Sequence, residues 1–503
     1  MIGKAKIKVG QERKRVSTGI PALDTITRGG LPKGESYLVN GAPGTGKTIL
    51  ALHFLQAGIK AGEKVLCIAL SQRIESVKQT AESVGIDSSE IMFHELSSAD
   101  ALRSIVERQT VFDTSEIELA ETMTAFTEAI ETIQPDRLIF DGISYLRMLA
   151  DDPLTYRQQI LTIRDYMADK NITVLLTNDR QLVPGDGELE SIAHGIISLS
   201  QEKTEYGSVH RYLRVLKIRG SDYLQGSHDF EITEEGINVY PSWQEISNSR
   251  LLKEQLITSG LAGLDTLIGG GLLTRTSCLL VGPSGTGKTS IATLFANNFA
   301  SRGGKVAIFL FDELFSTFLY RSKGLGMEIE QFVEQDLIRF QEISLSNISP
   351  GKFADSVKQK VVDWGARIVI IDTLTGYLNS MPDSKKLVAQ MHELLNYLSR
   401  RGVLSFLVVA QHGVVAPNLD MPVDISYLAD TVLLLRHFEA EGTLRQAISV
   451  YKKRYGNHER RIRELRFQPG SIEIGEPLTQ FSGILSGTPA YRGEAQNLFD
   501  NHE

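Results

Sequence analysis

Two octapeptides carry the residue types that phosphate chemistry needs. GAPGTGKT occupies 41–48 and GPSGTGKT occupies 282–289, and both fit G-x-x-x-x-G-K-[ST]. Small residues let backbone N–H groups curl around phosphate oxygens. The lysine reaches the β- and γ-phosphates, and the threonine hydroxyl reaches Mg2+. The nucleotide contacts expected in the first copy are Gly41, Gly44, Thr45, Gly46, Lys47, Thr48 and Ile49. In the second they are Gly282, Ser284, Gly285, Thr286, Gly287, Lys288, Thr289 and Ser290. One such octapeptide could be a chance Gly-rich turn, but two in matched surroundings argue against that. Acids stand at the ends of two later apolar runs: RLIFD ends in Asp141 and RIVIID in Asp372. Alone, each would read as the solvated start of a loop. Beside a phosphate loop, each is a candidate to hold the metal's water shell with Thr48 or Thr289.

A further contrast lies at 65–72, VLCIALSQ, and 306–313, VAIFLFDE. Both are apolar runs that turn polar at the end. The first closes in Ser71-Gln72 and the second in Asp312-Glu313.

These residues recur because the chain is a tandem repeat. Lys288 follows Lys47 by 241 positions, and Asp265 follows Asp24 by the same 241. A period that long excludes a solenoid and implies two similar globular domains, 1–247 and 248–503. The chain's 503 residues also exceed what one core usually organises. In each half, short β-rich runs (SYLVNG, KVLCIAL, DRLIFD, TVLLTN; SCLLVG, KVAIFLF, RIVIID, LSFLVVAQ) alternate with helical patterns such as MTAFTEAIETI and LVAQMHELLNYLSRR. The runs are apolar throughout, as in strands covered on both faces. The fold class is therefore α/β, a mostly parallel sheet with helices on both sides in each half. Further β-rich segments, HRYLRVLKIRG and QAISVYKKRYG among them, close each half.

The paired phosphate loops, the FDEL acids and the late LKIRGSDY and YKKRYGNH segments resemble the KaiC family of tandem RecA-like ATPases and autokinases. The resemblance spans nearly the whole chain and implies a homo-oligomeric ring, a hexamer, with ATP between neighbours. It implies that Lys217 and Arg219, with Ser221 close by, and Lys452 and Arg454 reach the γ-phosphate of the adjacent subunit. Paired cations there would neutralise charge that develops in transfer. It further implies that the acid pair after the second strand polarises the attacking group. Glu313 and Asp312 keep that equipment, together with the catalytic lysine Lys288, and Glu313 also stands near the metal. Ser71 and Gln72 cannot accept a proton at neutral pH, although Glu75 is three residues on. The expectation is a division of labour, in which the first domain binds ATP through Lys47 and holds the ring while the second transfers phosphate. The family's phosphorylated pair matches Ser426 and Tyr427 in DISYLADTVLLL, so Ser426 is the candidate phosphosite. A KaiB-like partner stays open. KaiA is not expected, because only EAQNLFDNHE follows FSGILSGTPAYRG.

Composition narrows the class. Hydrophobic residues make up 42% and charged residues 23%, an ordinary globular balance, and the net charge is −8. An acidic total without basic, aromatic-interleaved runs argues against the rival reading, a RecA- or DnaB-type nucleic-acid motor. An ATP-gated scaffold with little catalysis is the other rival. No apolar run reaches the length of a membrane span, and the basic N-terminus lacks a signal-peptide core. The two cysteines, Cys67 and Cys278, lie in apolar runs and suit a reducing compartment. A cytoplasmic protein with ATP and Mg2+ as cofactors, no membrane partner and no nucleic-acid partner is the expectation.

Overall fold

The apolar runs become the buried middles of two sheets. The computed structural model describes residues 14–70, 72–95, 114–149, 152–179, 187–203, 209–242, 254–344, 348–379, 384–411, 429–440, 442–485 and 489–491. These fall into two compact units, one drawn from 1–244 and the other from 245–503.

In the first unit the sheet strands are β1 (Ser36–Gly41), β2 (Val65–Ala69), β3 (Met92–Glu95), β4 (Arg137–Asp141), β5 (Thr173–Asp179), β6 (Gly195–Lys203), β7 (Val209–Ile218), β8 (His228–Thr233) and β9 (Gly236–Tyr240). Their spatial order is β3-β2-β4-β5-β1-β6-β7-β8-β9. The pairs from β3 through β6 are parallel, and those from β6 through β9 are antiparallel. Side chains alternate across the sheet. Tyr37, Val39, Cys67 and Ile139 face one cluster with Leu50 and Phe54 of helix α1 (Lys47–Lys60). Leu38, Leu66, Leu138 and Phe140 face another with Phe126, Ile130, Ile160 and Ile163 from the helices Thr114–Ile133 and Pro153–Asp169. Covering both faces is what demands apolar residues at every position.

The second unit repeats the plan. Its strands are β10 (Ser277–Gly282), β11 (Val306–Leu310), β12 (Ile338–Glu342), β13 (Ile368–Asp372), β14 (Leu404–Ala410), β15 (Thr431–Ala440), β16 (Thr443–Lys453), β17 (Arg463–Gln468) and β18 (Ser471–Pro477). The order is β12-β11-β13-β14-β10-β15-β16-β17-β18, so each strand takes its counterpart's place. Helix α2 (Lys288–Ala300) packs Ile291 and Phe295 against Cys278, Ile308 and Ile370. The repeated aspartates have a structural use. Asp24 accepts from the Thr18 backbone N–H at 2.7 Å, and Asp265 from the Ser259 N–H at 2.8 Å, pinning the chain that leads into each unit. Both cysteines are buried and unpaired. Among the described residues no helix is long and apolar enough to cross a membrane.

Candidate functional site

Each phosphate loop leaves the carboxyl end of its central strand and enters a helix through glycine. Gly46 and Gly287 are the left-handed residues before α1 and α2, with φ of 98° and 90°, a conformation that disfavours a Cβ. The loops are closed by their own side chains. Thr45 Oγ1 donates to Ala42 O at 2.8 Å and Thr286 Oγ1 to Pro283 O at 2.9 Å. These two buried hydroxyls therefore point inward, and only the backbone of Thr45 and Thr286 remains for phosphate.

In the first site Lys47 Nζ donates to Gly41 O and Ala42 O, each at 3.0 Å, and lies 2.5 Å from Asp179 Oδ1. Thr48 Oγ1 donates to Asp141 at 3.2 and 3.3 Å, and Thr177 Oγ1 donates to the same carboxylate at 2.6 Å. Burial pushes the Asp141 pKa up, against the pull of those hydroxyls and Lys47; Asp179 pushes it up further. A cavity of about 270 Å³ joins these groups to Gly44, Ile49, Gln72, Thr80 and Ile232. Glu75 is exposed in the first turn of helix Ile74–Ser83 and does not line it. Ser71 lies outside the described residues.

In the second site Lys288 Nζ donates to Pro283 O at 2.6 Å. Burial drops its pKa to about 8, opposed by Asp372. Burial likewise raises Asp372 to about 6, opposed by a hydrogen bond from Thr289 and by Arg321. Arg321 Nη1 holds Glu313 Oε1 at 2.6 Å, and Thr373 Oγ1 donates to Asp312. The cavity here is about 560 Å³, lined by Ser284, Gly285, Gly287, Lys288, Thr289 and Ser290 and also by Tyr320, Arg321 and Phe467.

The geometry thus gathers the loop residues, Asp141 and Asp372, and draws Glu313 to Asp372. Each Thr–Asp pair offers hard oxygen donors of the kind that hold Mg2+ with several of its waters retained. The K-x-R residues do not join them. Lys217 pairs with Ile196 at the start of β6, whereas Gly41 pairs with Leu199 farther along, so Lys217 and Arg219 stand at the opposite edge of the sheet. There Lys217 Nζ donates to Glu190 O and Arg219 Nη2 to Ser191 O, both at 2.5 Å, and Ser221 Oγ accepts from Arg15 at 2.9 Å. Partial burial first, then Arg219, push the Lys217 pKa down. Lys452 likewise pairs with Val432 near the start of β15 and donates to Ala429 O at 2.9 Å, while Arg454 meets Asp430 at 3.4 Å. Ser426 lies outside the described residues.

Sequence reasoning passed over Asp179, Thr177 and Arg321. Asp179 had a signal: like Asp141, it ends an apolar strand, but the run TVLLTN stops one residue short of it. Arg321, eight residues after Glu313, had none.

Two mostly parallel sheets of identical strand order, each with its phosphate loop facing an aspartate on the next strand but one, define a tandem RecA-like P-loop ATPase. A family model described as "ATPase: KaiC" matches residues 16–244 and 257–479, and the chain belongs to that family. The chain is similar to "Circadian clock oscillator protein KaiC" of Acaryochloris marina, at 25% identity over 95% of this chain and 92% of that one. It is also similar to two Synechocystis proteins. "Circadian clock protein KaiC3" is 24% identical, with 97% and 98% covered. "Circadian clock protein KaiC2" is 25% identical, with 94% and 83% covered.

Proposed function

We propose that this ATPase works as a hexameric ring whose second site transfers phosphate to the protein itself, setting a signalling or timing state. The observation that carries the reading is the second site's acid equipment: Glu313 lies close enough to raise Asp372, and Asp312 is tied to Thr373. ATP would lie against Lys288 and the loop amides. Thr289 and Asp372 would hold Mg2+, which neutralises charge on the β- and γ-oxygens. Glu313 would take the proton of an attacking hydroxyl, that of Ser426 on this proposal.

Assembly follows from the placement of the cation pairs. Lys217 with Arg219, and Lys452 with Arg454, stand away from their own phosphate loops, so an adjacent subunit is the partner that would use them. The domains 1–247 and 248–503 would each bind ATP within that ring. Timing is proposed on the strength of the relatives' names, and a KaiB-like partner belongs to the same proposal.

The test is mass spectrometry of the full chain after incubation with Mg-ATP, with sedimentation in parallel. Phosphate on Ser426 and an ATP-dependent hexamer are the expected results. ATP turnover with no phosphate on the chain would favour a plain ATPase. A monomer at saturating Mg-ATP would remove the ring.

A further inference from the structure

The first site lacks acids after β2, yet it is not short of a second carboxylate. Asp179 ends β5, and the register sets its place: Gly41 pairs with Asp179 in the first sheet, and Gly282 with Ala410 in the second. In the second site the carboxylate beside Asp372 comes instead from Glu313, after β11. The strands β2 and β5 flank β4 on opposite sides, as β11 and β14 flank β13. Each site therefore has a metal-side aspartate and, from opposite neighbours of its strand, a further carboxylate: Asp179 in the first, and Glu313 next to Asp312 in the second. Each further acid is held by a cation: Glu313 by Arg321 at 2.6 Å and Asp179 by Lys47 at 2.5 Å.

We propose that Asp179 is the carboxylate that orients and deprotonates the attacking water in the first site, so that the first domain hydrolyses ATP by an acid carried on β5. Two observations converge on it. Asp179 touches the lysine expected to meet the β- and γ-phosphates, and it lines the same cavity as Thr48 and Asp141. Gln72 also lines the cavity but cannot take a proton. When ATP enters, Lys47 turns to the phosphates, and Asp179 is released within reach of a water beside the γ-phosphorus. That water's oxygen forms the new P–O bond while the bond from the γ-phosphorus to the β,γ-bridging oxygen breaks. ADP leaves with the bridging oxygen, and the water's proton passes to Asp179 and then to solvent. Asp141 keeps its place against Thr48 and Thr177. The inference rests on the nucleotide-binding part of the proposed function and departs from a purely structural first domain.

The experiment uses the full-length chain with Lys288→Ala, which silences the second site; Asp312→Asn with Glu313→Gln is a second way to do so. In the Lys288→Ala chain, binding of a fluorescent ATP analogue reports first-site occupancy alongside steady-state turnover. Residual turnover should remain in the silenced chains. Asp179→Asn should lower its kcat by about 10²–10⁴-fold with ATP affinity unchanged or tighter, and Asp179→Glu should retain part of the activity. If Asp179→Asn tightens ATP binding and leaves kcat unchanged or higher, Asp179 is only a clamp on Lys47 and the proposal falls. It falls equally if both silenced chains bind the analogue without turning ATP over. Neither outcome touches phosphate transfer by the second site, which is read in the unmodified chain.

Discussion

In the first site the lysine of the phosphate loop is paired with a carboxylate, and in the second it sits buried and, among the described residues, bonded to a carbonyl. Lys47 has Asp179 at 2.5 Å; Lys288 has Pro283 O at 2.6 Å, and its pKa falls to about 8. The metal-side aspartates differ in the same sense. Asp141 takes hydrogen bonds from Thr48 and Thr177, whereas Val408 stands where Thr177 would; burial raises both aspartates, Asp372 to about 6. The second cavity is also about twice as large. One duplicated frame has thus received two electrostatic solutions. The first is paired and polar, and the second has a more apolar lining and carries its acid on the far side of β13. The lesson is that the frame fixes where phosphate sits, while strand-end side chains decide what neutralises it.

The comparison can be broken most sharply at Glu313. Glu313→Gln should cut second-site turnover by about 10²–10⁴-fold, read as ATP hydrolysis in a chain whose first site is silenced by Lys47→Ala. An unchanged rate would mean that the acid pair is not the feature that separates the sites.

The helix-entry glycines come next. A Cβ on Gly287 would drive into the Phe467 ring, whereas one on Gly46 would meet only the Cδ1 tip of Ile232 at 2.8 Å. Both positions have left-handed φ, costing about 1–2 kcal/mol for alanine. Gly287→Ala should add an overpacking cost of about 1–3 kcal/mol. Thermal unfolding of the two single variants should therefore show the larger loss for Gly287→Ala. Equal losses would show that the ring gives way as easily as the isoleucine tip.

Thr177→Val would give Asp141 the apolar neighbour that Asp372 already has. Losing a 2.6 Å hydrogen bond to a buried carboxylate should cost about 1–3 kcal/mol, and it should weaken Mg2+-dependent nucleotide binding at the first site alone. Calorimetric titration in the second-site-silenced chain would read it. An unaltered metal dependence would mean that Thr48 suffices.

The smallest effect concerns acid. His53 Nε2 accepts the Ile237 N–H at 3.0 Å, and His228 Nδ1 accepts the Ser242 N–H at 2.9 Å. Burial holds both pKa values below 6.5, with Lys60 adding to the effect at His53. The stability from each depressed histidine is fully present above about 6.5, the unfolded value, and is lost as pH falls through the folded value, because the unfolded chain takes the proton first. The His53 position in the repeat is Leu294. Peptide-resolved hydrogen exchange between pH 7.5 and 5 should show opening confined to the first unit, reduced in His53→Gln. Equal opening of both units would discount these histidines.

The sequence by itself determined the repeat, the phosphate loops, the central strands and the aspartates that end two of them. All of these are local: an octapeptide, an apolar run, a residue at its end. The K-x-R segments were legible as strands, but their position at the sheet edge opposite the phosphate loops depended on the antiparallel register of β6 with β7 and of β15 with β16. Only the tertiary structure joined Asp179 to Lys47, since β5 reaches the phosphate loop by pairing with β1 across more than a hundred intervening residues. Only it set the helix Phe315–Gly324 so that Arg321 meets that acid. A charge on a strand end has no partner until the strand order supplies one. The order is set by burying both faces of each sheet, a property of the whole unit that no short stretch of chain contains.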